Sequence, residues 1–261
     1  MPEIIEVEAA RRLIEERALG RRIASVFAPD AWYLKRGLIA GALDAALPGR
    51  ELSAARRRGK LMLVDTDGGA GPVLGLHLGM SGRVVIDDEA AGDPLVYASN
   101  RELAAWHRFG LEFGDGGSLF LRDPRRLGAV ELDPDEDRLG VDAFELSQAQ
   151  LSAMVVASRA PVKAVLMNQA RIAGLGNLLV DEALCRAGID PARPADTLDA
   201  AERRRLHRAV RRTLEVCTAR GGSHTGDLPR DAGAPCPKDG APLARRTVAG
   251  RTTYACARHQ R

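Results

Sequence analysis

At 261 residues the chain has room for one large or two modest domains, and its 45% hydrophobic content supports a core that must be aliphatic, because aromatic residues make up only 4%. No apolar run approaches the roughly 20 residues that span a bilayer, and the acidic opening Met1-Pro2-Glu3-Ile4-Ile5-Glu6-Val7-Glu8 is unlike a signal peptide, so the reading is a cytoplasmic protein with no membrane segment. A net charge of +3 does not by itself imply nucleic acid, and four cysteines (Cys185, Cys217, Cys236 and Cys256) in a chain this long do not suggest a disulfide scaffold.

In chain order, residues 6–18 read as a helix, with Val7, Ala10, Ile14 and Ala18 on one face and charges between them. From Ile23 to Val130 short apolar runs (22–27, 60–65, 73–77, 83–86, 111–113, 118–121) are separated by Gly, Asp and Pro. Asp67-Gly68-Gly69 and Asp115-Gly116-Gly117 fit hairpin turns, and the stretch predicts a β-sandwich or barrel. Asp133-Pro134-Asp135-Glu136-Asp137 reads as a linker. Beyond it the spacing predicts helices over 146–156, 161–168, 177–187 and 198–219. Ser147, Asn177 and Thr197 are their candidate caps, and Gly221-Gly222 ends the last helix. Cys185 and Cys217 fall within helical patterns and are assigned to the core. Residues 224–240 read as loop, and 243–248 and 251–256 as the strands of a hairpin turning at Ala249-Gly250. The fold class is therefore α+β and multidomain, with boundaries at 1–133, 134–225 and 226–261.

Basic residues number 38, of which only Lys35, Lys60, Lys163 and Lys238 are lysine. Arginine clusters at 56–58, 125–126, 203–205, 211–212 and 245–246 suit either phosphate contact or a solvated surface. Removal of Met1 ahead of the small ring of Pro2 would leave a secondary amine as N terminus. With an α-amino pKa of roughly 8, part of it is neutral and nucleophilic at physiological pH. Glu3 beside it could act as general acid and base. His77-Leu78-Gly79-Met80-Ser81-Gly82 and Asp123-Pro124-Arg125-Arg126-Leu127-Gly128 are turn sequences that put apolar tips beside arginine, as in side chains that wedge into a base stack. Gly174 and Gly176 precede a helix N terminus, where exposed N–H groups suit phosphate or simple helix packing. Cys236-Pro-Lys-Asp239 and Cys256-Ala-Arg-His259, sixteen residues apart, have the two-knuckle spacing of a zinc ribbon.

Together and in this order, these segments resemble the formamidopyrimidine-DNA glycosylase and endonuclease VIII family, essentially from Pro2 to His259. The family's opening Pro-Glu-Leu-Pro-Glu-Val-Glu is similar to residues 2–8, its His-Leu-Gly-Met-Ser-Gly turn is intact at 77–82, and its Asp-Pro-Arg-Arg-Phe-Gly segment stands at 123–128 with Leu127 for Phe. Its helix–two-turn–helix signature ends Gly-x-Gly-Asn, as at 174–177, with Glu182 downstream. Its zinc-finger hairpin carries an arginine five residues before the third ligand, here Arg251.

The resemblance implies a helix plus β-sandwich domain, a helix–two-turn–helix domain and a zinc-finger-like β-hairpin, with DNA in a cleft between domains. It implies a base-excision DNA glycosylase with AP lyase activity that removes oxidised or ring-opened bases from double-stranded DNA as a monomer. Pro2 would be the Schiff-base nucleophile, Glu3 the proton shuttle through β- and δ-elimination, and Lys60 a catalytic phosphate contact. His77 would touch DNA; Met80, Arg125 and Leu127 would fill the gap left by the flipped nucleotide; Lys163, Asn177 and Arg251 would hold phosphates. Cys236, Asp239, Cys256 and His259 would hold one structural zinc, although two of those positions are cysteine in the family. Only twelve residues, 224–235, stand where formamidopyrimidine-type members carry a long loop over an everted 8-oxoguanine, so 8-oxoguanine is not the expected preference. The alternative is a non-catalytic protein that binds damaged or abasic DNA.

Overall fold

The computed structural model describes residues 2–92, 94, 99 and 101–261. Met1, whose removal the sequence suggests, lies outside them. The chain divides into two compact units, one of Pro2 and residues 6–136, the other of Glu3–Ile5 and residues 137–261.

The first unit holds most of helix α1 (Ile4–Arg17), strand β1 (Ile23–Phe27), helix α2 (Ala40–Ala46) and strands β2 (Leu52–Arg58), β3 (Leu61–Thr66), β4 (Leu74–His77), β5 (Arg83–Ile86), β6 (Glu89–Ala90), β7 (His107–Phe113), β8 (Ser118–Arg122) and β9 (Ala129–Leu132). They form two antiparallel sheets, ordered β1-β7-β8-β5-β6 and β2-β3-β4-β9. Val84, Ile86, Phe109 and Leu111 of one sheet share a core with Leu52, Met62, Val64, Leu76 and Val130 of the other, and α1 adds Val7, Ala10 and Ile14. This is the expected sandwich, because alternating residues of β5 and β8 point into one core.

Several elements escaped the sequence, α2 and β2 among them. Helix α2 is seven residues of mostly Ala and Gly with one buried leucine, Leu43, too short to show a period. Strand β2 hides behind its arginines, which its neighbours neutralise: Arg56 pairs with Asp65 and Glu136, and Arg57 with Glu8. Asp115–Gly117 turns between β7 and β8 as expected, with Gly116 at φ +89°. Asp67–Gly69 instead forms a 3-10 turn that opens a longer connection to β4.

The second unit contains β10 (Val141–Asp142), α3 (Gln148–Val156), α4 (Val162–Met167), β11 (Ile172–Ala173), α5 (Asn177–Ala187), α6 (Ala200–Ala219) and the hairpin β12 (Ala244–Val248) and β13 (Arg251–Ala255). Its core joins Leu151, Val155, Val162, Leu166, Leu179, Leu206, Val210 and Leu214 to Ile4 and Ile5 at the start of α1. Ser147 caps α3 through a reciprocal box with Gln150, as the sequence suggests. The other two caps differ. Asp199, in a box with Glu202, caps α6, while Thr197 lies in a preceding 3-10 turn. The N-cap of α5 is Gly176; Asn177 is already helical, and its side-chain amide donates to the Thr252 carbonyl at 3.0 Å. At the hairpin turn, Ala249 (φ +50°) and Gly250 (φ +71°) have the two positive φ angles of a type I′ turn.

Candidate active site

Glycine at 176 leaves the N terminus of α5 without a side-chain cap of its own. The missing acceptor comes from the other end of the chain. Glu3 is fully buried, and its carboxylate accepts from Gly176 N at 2.7 Å (Oε2), Leu178 N at 2.8 Å (Oε1) and Leu179 N at 3.4 Å (Oε2). The anion thus sits where helix N–H groups and the helix dipole favour negative charge. Both glycines ahead of α5 make room for the N-terminal segment. A Cβ at Gly176 would fall inside contact distance of the Glu3 carboxyl, and one at Gly174, which also has φ +111°, would strike Ile4. The Gly174 carbonyl accepts from Ile4 N at 3.2 Å, which completes the anchor. The N–H groups at this helix terminus are thus taken by the protein's own carboxylate, and Pro2, buried as well, is the residue that precedes Glu3 in the chain.

In the same unit, Asn177 and Arg251 are brought together. The Thr252 carbonyl that accepts from the Asn177 amide follows Arg251, which is exposed at the start of β13. Lys163 departs from the phosphate contact expected of it. Its ammonium is fully buried and enclosed by protein acceptors: Asp181 Oδ1 at 2.6 Å, Thr253 Oγ1 at 2.7 Å and the Thr252 carbonyl at 3.4 Å. It ties α4, α5 and β13 together rather than facing outward. Arg230 takes the other Asp181 oxygen at 3.0 Å and lies over the Tyr254 ring.

The remaining expected contacts lie in the first unit. Lys60 stands at the β2–β3 turn, and its neighbour Leu61 pairs with His77 in the adjoining strand. Burial, with the Lys60 charge as a lesser cause, lowers the His77 pKa from 6.5 to about 4. His77 is then neutral at physiological pH, in keeping with its Nδ1 accepting from Gly79 N at 3.0 Å.

Met80 and the Arg125–Leu127 tip are held side by side by a residue the sequence reading passed over, Asp123. Fully buried, it accepts through Oδ1 from Ser81 Oγ and from Arg125 N (3.1 Å), and through Oδ2 from Leu127 N (2.9 Å) and Gly128 N (2.8 Å). One carboxylate so shapes the 123–128 turn and ties it to the 78–82 turn. Gly79 (φ +59°) lets the two backbones touch, since a Cβ there would run into Leu127. Leu127, 47% exposed, and Arg125 project outward, whereas Arg126 is turned back in a bidentate pair with Asp30, 2.7 Å on each arm. An Asp opening a turn and accepting from N–H groups ahead of it was the available signal.

Cys236, Asp239, Cys256 and His259 present ligand atoms that all lie within 4.8 Å of one another. Cys236 Sγ is 3.2 Å from His259 Nδ1, and Cys256 Sγ is 3.5 Å from Asp239 Oδ1. His259 Nε2 lies 2.8 Å from the Cys185 carbonyl. Since a carbonyl only accepts, Nε2 carries the proton and Nδ1 keeps its lone pair toward the cluster, the usual second contact of a metal-bound histidine. These four residues could hold a metal ion. Asp239 also takes Arg258 Nε at 2.8 Å, which together with Ala241 N holds its carboxyl well below the usual range.

The 224–235 segment is short and pinned. Glu182 accepts from Leu228 N at 2.8 Å, Asp227 pairs with Arg186 at 2.6 Å and Arg220 at 2.7 Å, and Leu228 is buried.

Comparison with known proteins follows the same division of the chain. Residues 1–130 match the formamidopyrimidine-DNA glycosylase N-terminal domain, and residues 134–228 the formamidopyrimidine-DNA glycosylase H2TH domain. The chain is 36% identical to the formamidopyrimidine-DNA glycosylase of Acidiphilium cryptum, covering 100% of both proteins, and 36% identical to that of Paracoccus denitrificans, covering 98% of each. Among solved structures it matches the Lactococcus lactis Fpg in complex with DNA containing an abasic site (TM-score 0.84, 25% identity, 100% of both chains). It also matches the MutM (Fpg) protein of Thermus thermophilus (TM-score 0.79, 31% identity, 99% of this chain and 98% of that one).

Proposed function

Given that the chain belongs to the formamidopyrimidine-DNA glycosylase family and is a base-excision-repair DNA glycosylase with AP lyase activity, we propose that Pro2 is its nucleophile and Glu3 its proton shuttle. The observation that carries this reading is the Glu3 carboxylate, fixed by three backbone N–H groups and bonded through the chain to Pro2. A catalytic acid or base must be held in place to act, and this one is held from across the sequence. With Met1 removed, the Pro2 nitrogen attacks C1′ and displaces the base, which takes a proton from solvent; the proton that the nitrogen sheds passes through the Glu3 carboxylate to the sugar ring oxygen as the ring opens to the iminium. The resulting iminium acidifies C2′–H, and β- then δ-elimination leave a gapped strand.

The substrate is double-stranded DNA carrying a damaged base or an abasic site, a reading supported by the abasic-DNA complex of the Lactococcus lactis neighbour. Lys60 and His77 would meet backbone near the lesion, Asn177 and Arg251 would hold phosphates, and Met80, Arg125 and Leu127 would fill the stack behind the flipped nucleotide. Lys163 sets the hairpin on α5 and acts through Asn177 and Arg251. The short, pinned 224–235 segment supports oxidised pyrimidines, ring-opened purines, hydantoins or bare abasic sites ahead of 8-oxoguanine. The Cys236, Asp239, Cys256 and His259 set fits one structural zinc, which would fasten the hairpin that carries Arg251. Among the described residues no helix is long and apolar enough to cross a membrane, and the protein would work as a monomer in the cytoplasm. A non-catalytic binder is not favoured, because relatives matching the whole chain are named as glycosylases.

Strand cleavage on abasic duplex tests the reading. The unmodified protein should leave a one-nucleotide gap with phosphate at both ends, and Pro2→Gly should lose cleavage while still binding. Equal cleavage by Pro2→Gly would reject Pro2.

A further inference from the structure

Aromatic residues are scarce in this chain, with two tryptophans among 261 residues, yet Trp32 is 64% exposed. Its neighbour Tyr33 is fully buried, so the segment has a core anchor and Trp32 is not it. The indole is also oriented. Asp30 Oδ1 accepts from Trp32 N at 3.2 Å and caps the 3-10 turn Ala31–Tyr33, while Lys35 donates to the Trp32 carbonyl and places its ammonium 4.3 Å from the ring centroid. The exposed indole is therefore held in one orientation with a cation on its face.

Its position narrows the partner. Residues 30–35 and 123–130 form one body within the first unit. The Asp30 carboxylate that caps the Trp32 turn also grips Arg126 on both arms. Lys35 N donates to the Val130 carbonyl at 3.0 Å, Leu34 bridges Val130, and the Tyr33 hydroxyl lies so close to Gly128 that a Cβ there would collide with it. The pair is thus rigidly continuous with the turn that carries Arg125 and Leu127.

Resting on the DNA-binding reading of that turn, we infer that Trp32 and Lys35 form a further DNA-backbone contact. Lys35 meets a phosphate, and the exposed indole packs on the adjoining deoxyribose, extending the footprint beyond the gap-filling residues. A compact ammonium suits a phosphate, and the indole offers apolar surface and an N–H donor to what lies beside it.

Trp106→Phe leaves Trp32 as the sole tryptophan for fluorescence. On saturation with abasic duplex, its acrylamide quenching constant should fall at least about twofold. Trp32→Ala and Lys35→Ala should each weaken binding about five- to tenfold, and Lys35→Ala should lower the log–log salt slope by about 0.9. Trp32 equally quenchable in the complex, or Trp32→Ala binding like the unmodified protein, would overturn the contact. Borohydride trapping of the unmodified protein separates the two readings: an adduct without Trp32 protection rejects this contact alone, and no adduct rejects the Schiff-base chemistry.

Discussion

Glu3 caps a helix whose N-cap residue lies 173 residues further on: its Oε2 accepts from Gly176 N at 2.7 Å, and a Cβ at Gly176 would occupy the same space. The glycine and the carboxylate are two halves of one feature, which fixes the N-terminal segment by the acidic group that the proposed chemistry uses.

Gly176→Ala should therefore act as a Glu3 variant. Gly176 has φ −127°, which alanine adopts freely, so the damage is the clash alone. Abasic-strand cleavage should fall by about 100-fold or more. Single-turnover rates with melting curves alongside check this, and a fully active, normally folded Gly176→Ala would refute the linkage.

Asp123→Ala removes four acceptor contacts under the 123–128 and 78–82 turns. With Met80, Arg125 and Leu127 no longer fixed relative to one another, affinity for lesion-containing duplex should fall about tenfold or more, at the scale of lost buried hydrogen bonds. Affinity for undamaged duplex should change less. Equal losses on both would show that the turns serve general binding rather than the flipped state.

His77 gives a pH signature. Its pKa is about 4 in the folded protein against 6.5 as an ordinary histidine. Between those values the unfolded chain binds the proton more readily, so stability falls as pH drops from 6.5 toward 4 and is unaffected by this residue above 6.5. His77→Gln should flatten that part of the profile. Urea midpoints from pH 4 to 7 for both proteins measure it; parallel profiles would contradict the assignment.

Metal removal should uncouple the hairpin. Elemental analysis should find one zinc per chain, and chelation or His259→Ala should release β12–β13, lose the Arg251 contact and lower the salt slope of DNA binding by about 0.9. Undiminished binding by metal-free protein would show that packing of Cys185, Leu228 and Leu243 suffices.

Local chemistry was legible in the sequence. The helices read over 146–156 and 177–187, the Ala249-Gly250 turn and the Cys236, Asp239, Cys256, His259 grouping follow from spacing, which a sequence displays. What it does not display is who answers a charge. The arginines of 56–58 read as either a phosphate cluster or a solvated surface, and the sequence does not show Glu8, Asp65 and Glu136 beside Arg56 and Arg57. Lys163 read as a phosphate contact, and the sequence does not show the Asp181 and Thr253 that enclose its ammonium. The α5 cap read as Asn177 because the nearest polar residue is the usual one, whereas Glu3 reaches that terminus through tertiary packing.

Borohydride trapping on abasic duplex, followed by peptide mapping, tests the central claim most directly. The account predicts a covalent adduct on the peptide that begins with Pro2, lost in Pro2→Gly and diminished in Glu3→Gln. An adduct on a lysine, or none despite tight and salt-dependent binding, would contradict it.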